Sequence, residues 1–185
     1  MNGLRGPARR ASAPLCAALV ILVVGVSTIA GAWIYESLGY LPCELCLKQR
    51  IPYYIGIPLA ALAAVAVHRG RESLARAGLV ALALLFAAGA ALAVYHSGVE
   101  LKLFSGPSDC AGALNTAGSV DAFLKQLQTT KVVRCDEPAL WVLGLTLSNW
   151  NAMISAFLAA LAVAAILSLH EGCRVETESS KDELS

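Results

Sequence analysis

Four long stretches of this sequence, 15–35, 51–67, 77–95 and 152–169, lack any Asp, Glu, Lys or Arg. Charged residues are only 15% of the chain against 57% hydrophobic, and mean hydropathy is +0.65, which excludes an ordinary soluble domain of this size. No basic patch with interleaved aromatics is present, so the mark of a nucleic-acid binder is missing, and the net charge of +1 says little about partners. Metal-binding and nucleotide-binding motifs are missing too, as is any internal repeat.

What is present is membrane-like. Each charge-free run is long enough, or nearly so, to cross a hydrocarbon core that takes ~20 helical residues. The expected fold is an all-α membrane protein, one domain over 1–185, built as a four-transmembrane-helix bundle. Its helices fall at about 15–35, 51–67, 77–95 and 152–169, with outer loops at 36–50 and 96–151. The tail over 171–185 is polar and acidic, and its composition predicts no fixed structure.

The first run resembles a secretory signal, with Arg5, Arg9 and Arg10 before it and Ala30-Gly31-Ala32 near its end. It continues through Trp33, Ile34 and Tyr35, past the ~7–15 apolar residues of such a signal, so it reads as an uncleaved helix. Those three arginines and Arg69, Arg71 and Arg76 mark one side as cytoplasmic. Both termini then lie inside, and both long connectors face outward.

This topology sorts the cysteines. Cys43, Cys46, Cys110 and Cys135 fall on the outer side, where disulfides persist, while Cys16 and Cys173 fall at inner helix ends. Between the first two runs stands Leu41-Pro42-Cys43-Glu44-Leu45-Cys46-Leu47-Lys48-Gln49-Arg50. Pro42 suits the first turn of a helix, and from there Cys43, Cys46 and Arg50 share one face. The guanidinium and the helix dipole are expected to favour a thiolate at the second sulfur, Cys46.

Pro52 and Pro58 inside the second helix predict a kink, either a simple bend or one that shapes a pocket beside Cys46 and Arg50 with Tyr53 and Tyr54 as walls. Gly25, Ser27, Thr28 and Gly31 form a small-residue stripe that suits helix packing or leaves room for a flat ligand. His96 closes the third helix at the level of Cys46, either as a polar cap or as a functional group. Cys110 lies in a loop with Gly106, Pro107, Gly112 and Gly118, and Cys135 lies in a turn ending at Pro138. Ser119 caps a short surface helix whose apolar residues are Val120, Phe123, Leu124 and Leu127. Trp141 and Trp150 mark the membrane interface again.

Four outer thiols admit three chemistries. A tetrahedral zinc site normally uses two short-spaced pairs, and only Cys43 and Cys46 are so spaced, so no metal is expected. Two structural disulfides are the second option. Redox exchange is favoured, because a C-x-x-C bridge is short and reducible, and a mobile pair beside an anchored pair can relay a disulfide. Electrons at headgroup depth need a lipid-soluble two-electron acceptor, and quinones are such acceptors.

Pro42-Cys43-x-x-Cys46-x-x-Gln49-Arg50, four helices and a later cysteine pair in the second outer loop resemble the bacterial disulfide-bond formation protein B (DsbB-like) family. The resemblance implies a four-helix bundle in the bacterial inner membrane, with its cysteine loops periplasmic. It implies a thiol oxidase that reoxidises a periplasmic DsbA-like thioredoxin-fold protein and passes the electrons to ubiquinone or menaquinone. By position it assigns Cys110 to the mixed disulfide with the partner, Cys135 to exchange with Cys43, and Cys46 to the quinone. Arg50 then stabilises the charge there, and His96 stands near the quinone. Glu44 is less typical of the pattern, and a carboxylate there disfavours a thiolate. The alternatives are a quinone reductase of the vitamin-K-epoxide-reductase type and a non-enzymatic scaffold braced by disulfides.

Overall fold

The structure is a computed structural model that describes the backbone of residues 7–107, 134–138 and 140–182 and the side chains of 13–107, 134–138 and 140–169. Cys110, the side chain of Cys173 and the surface helix expected from Ser119 lie outside the described residues.

Hydrocarbon offers a backbone no hydrogen-bond partner, so each charge-free run satisfies itself as helix. The described residues form α1 (Pro7–Ser37), α2 (Glu44–His68), α3 (Glu72–Glu100) and α4 (Leu147–Asp182). All four are long and apolar enough to cross a membrane. Each outruns its charge-free core, because extending a helix is far easier than starting one. The outer connector expected over 36–50 therefore ends at Cys43, and α3 runs on to Glu100. The tail expected without fixed structure is helical to Asp182, since no proline stops it and Glu, Arg and Lys are good helix formers.

One element was not foreseen. Trp141–Val142 (β1) pairs antiparallel with Leu145–Thr146 (β2), Trp141 opposite Thr146. Leu143 and Gly144 link them with φ of 52° and 81°, the two positive angles of a type I′ turn. Two-residue strands are too short to show alternation in a sequence.

The helices pack in a ring, α1 on α2, α2 on α3, α3 on α4 and α4 back on α1. Apolar area drives this weakly in lipid, where close fit between small residues does more. Ala60, Ala63, Ala64, Leu79, Leu82, Phe86, Leu158 and Ala162 are buried in the core, whereas Val23, Leu62, Leu84 and Leu167 face outward. Pro52 and Pro58 both lie within α2, and the Pro52 ring sits on Gly89, where a Cβ would come within 3.3 Å of it. The small-residue stripe on α1 divides. Gly25 packs against Ile57, but nothing lies within 4 Å of the Cβ position at Gly31.

Candidate functional site

Pro42 stands two residues ahead of the first helical position, Glu44, and so lies outside α2, and Cys43 is the helix N-cap (φ −77°, ψ 170°). The Cys43 sulfur accepts a hydrogen bond from the Cys46 backbone N–H at 3.3 Å, in the place usually filled by a Ser or Asp oxygen. Cys46 is then in the first turn, its sulfur 2.8 Å from that of Cys43, and both are free thiols. This corrects the expectation about which sulfur the helix activates. The dipole and the free N–H act on the cap, so Cys43 is the favoured sulfur. It is held far below the ordinary thiol range, at about 4. The hydrogen bond with the Cys46 thiol is the main cause, burial opposes it, and His96 and the Cys46 N–H add to it.

Arg50 carries a counter-charge that the sequence did not suggest. Its Nη1 donates to Glu36 Oε2 at 2.7 Å, a partner at the end of α1 that spacing along α2 could not reveal. Glu44 is turned outward and pairs with Lys48 at 3.7 Å.

His96 is only 2% exposed, so it is no interfacial cap. Its Nε2 lies 3.6 Å from Cys43 Sγ and 3.8 Å from Glu100 Oε1, and its Nδ1 lies 2.7 Å from Gln49 Nε2. Glu100 Oε2 accepts from Thr146 Oγ1 at 2.6 Å and from Ser148 Oγ, which ties β2 and the start of α4 to α3 beneath the dithiol. Cys135 is buried and disulfide-bonded, and it packs in one cluster with Cys43, Leu45 and Val99. The turn that holds it is braced by Arg134, which grips Asp136 through two hydrogen bonds of 2.9 and 2.8 Å.

On the other side of the dithiol lies a cavity of about 270 Å³ between α1, α2 and the start of α4. Cys46 and Arg50 line it with Thr28, Gly31, Tyr35, Tyr40, Tyr53, Trp150 and Ile154. Of the two tyrosines expected as walls, Tyr53 takes part, while Tyr54 is exposed and accepts from Trp33 Nε1 at 3.3 Å. Tyr35, Tyr40 and Trp150 were read only as interface aromatics or passed over. Tyr40 meets Tyr35 edge-on at 6.2 Å because the connector after α1 turns back at Gly39 (φ 94°), and Trp150 joins them from the start of α4.

Cys43, Cys46 and His96 offer three donor atoms within 4.8 Å of one another. Two thiolates on a tetrahedral zinc with ~2.3 Å bonds lie about 3.8 Å apart. The observed 2.8 Å between the sulfurs is too short for that, and fits a pair ready to bond to each other.

A dithiol at the head of a membrane helix, with a buried histidine and a disulfide-bonded cysteine packed beside it, defines a membrane thiol–disulfide oxidoreductase. The chain belongs to the family described as disulfide bond formation protein DsbB, whose model matches residues 14–165. It is therefore a multi-pass membrane protein of disulfide-bond formation. It is similar to the "Uncharacterized protein RP370" of Rickettsia prowazekii (strain Madrid E), at 22% identity over 140 residues, which cover 74% of this chain and 78% of the relative. No solved structure matches it.

Proposed function

We propose that this protein is a protein-disulfide:quinone oxidoreductase of a bacterial inner membrane. It reoxidises a periplasmic DsbA-like thioredoxin-fold protein by disulfide exchange and delivers the electrons to ubiquinone or menaquinone. Both termini are cytoplasmic, and the cysteine loops are periplasmic. One observation carries the reading. Cys46 lines a largely apolar cavity, while Cys43, three residues earlier, packs with the disulfide-bonded Cys135.

The cavity suits a quinone head group, being lined by Tyr35, Tyr40, Tyr53 and Trp150, with one cation and one thiol at its edge. When bound, a quinone supplies a sink for two electrons and two protons. Arg50 would orient it as a hydrogen-bond donor, and Cys46 would face it. The thiol pair then loses two electrons and two protons as the Cys43–Cys46 bond closes. On the other side, exchange through Cys135 restores the dithiol, and Cys110 meets the soluble partner.

The test is to mix purified protein, a reduced thioredoxin-fold oxidase and a quinone, and to follow quinone absorbance. Reduction should require both the donor and this protein. A quinone that stays oxidised would sink the reading, and reduction driven only by small dithiols would favour the vitamin-K-epoxide-reductase alternative. In the same assay Arg50→Gln should raise the apparent quinone KM by about tenfold or more, the worth of a hydrogen bond from a charged donor. Unchanged quinone kinetics would remove Arg50 from the cavity's work.

A further inference from the structure

Gln49 enters the sequence reading only as one letter of a motif, yet it ends a line of buried polar side chains that joins α4 to the dithiol. Tyr53 Oη, 3.0 Å from Ser155 Oγ, donates to Asn151 Oδ1 at 2.6 Å. Asn151 Nδ2 donates to Gln49 Oε1 at 2.6 Å, and Gln49 Nε2 meets His96 Nδ1 at 2.7 Å. An amide donates only from nitrogen and accepts only at oxygen, so the line runs in one direction. It ends by giving His96 Nδ1 a hydrogen to accept. A neutral ring in that position carries its own hydrogen on Nε2.

We infer that Gln49 is a positioning residue: held by Asn151 and Tyr53, it fixes His96 as the Nε2–H tautomer and aims a hydrogen-bond donor at the Cys43 sulfur. The other groups facing this point are Cys46 on α2, Glu100 on α3 and Cys135 from the outer turn. Glu100 already accepts from Thr146 and Ser148 through Oε2, and its Oε1, 3.8 Å from Nε2, stands beyond hydrogen-bond distance.

The consequence rests on the reading that Cys43 exchanges with Cys135. When a thiolate attacks the Cys135 sulfur of a Cys43–Cys135 bridge, that bond breaks and a new S–S bond forms to Cys135. Cys43 then leaves with the electron pair as a thiolate, and no oxidant is consumed. Stabilising a leaving thiolate speeds its departure, so the line from Tyr53 to His96 favours release of Cys43.

The test uses the reduced full-length protein in detergent, with neither quinone nor thioredoxin-fold donor present, so its result does not depend on turnover. Nitrogen-15 spectra of the imidazoles in the unmutated protein should show His96 hydrogen-bearing at Nε2, and an Nδ1–H signature overturns the inference. Alkylation of Cys43 against pH, followed by mass spectrometry in Cys46→Ser protein, gives a second readout. Gln49→Met should raise the midpoint by about one pH unit, a tenfold loss of thiolate at a given pH on the steep limb. The same change in a His96→Leu background should have no further effect. A midpoint that does not move, or one that moves equally without His96, would show that Gln49 does not act through the ring.

Discussion

Cys46→Ser and Cys43→Ser should each reduce donor-dependent quinone reduction to below about a thousandth of the parent rate, because a two-electron thiol oxidation cannot close with one sulfur. The fold should survive both changes. Both sulfurs lie at the head of α2, outside the main apolar core of Leu79, Leu82, Phe86 and Leu158. Serine is nearly isosteric with cysteine, and at position 43 its oxygen is a better N-cap than the sulfur it replaces. Quinone absorbance gives the rate, and thermal melting followed by circular dichroism gives the stability. An oxidoreductase loses turnover and keeps its melting point. Substantial turnover in either variant refutes the redox assignment, and a lost fold with no other phenotype points to the scaffold alternative.

The second large effect should come from Gly56, which carries no functional atom. A Cβ there would lie 2.7 Å from Phe86 Cζ and 3.1 Å from Cε2, closer than side chains pack. Phe86 is fully buried and meets Tyr53 edge-on at 5.5 Å, so its ring has nowhere to go without moving Tyr53. Gly56→Ala should cost ~1–3 kcal/mol, the usual range for overpacking, and Gly56→Leu should cost more. The melting temperature should fall accordingly, and trimming the ring with Phe86→Leu should recover part of the loss in Gly56→Ala. Additive losses in the double variant would mean that the two residues do not oppose one another. Since Tyr53 donates to Asn151, a packing fault at Gly56 is expected to reach the thiols as well.

The fold was largely legible because hydrocarbon admits few solutions. Runs without charge must be helices, and Cys43, Cys46 and Cys135 gather at one end of the bundle, as their positions between the runs require. The chemistry was legible at the sulfurs, since C-x-x-C declares its own proximity and the structure brings His96 to it. The rest depends on angles and distant partners. That Cys43 rather than Cys46 sits over the helix N-terminus turns on one residue's extended backbone, which Pro42 one place earlier did not disclose. Glu36 reaches Arg50 across a turn, and Asn151 reaches Gln49 across 102 positions, so no local pattern contains either pair. Glu100 lies beyond the charge-free run that ends at 95, and its acceptor role depends on a hairpin too short to foresee.

The two sulfurs open onto different neighbourhoods, Cys46 toward the aromatic cavity and Cys43 toward His96 and Cys135. On the proposed function, donor and acceptor therefore need not take turns at one doorway. On that same proposal, a molecule lodged among the tyrosines leaves the other entrance clear, so a compound shaped to block the first would stall the protein while a soluble thiol partner could still dock and wait.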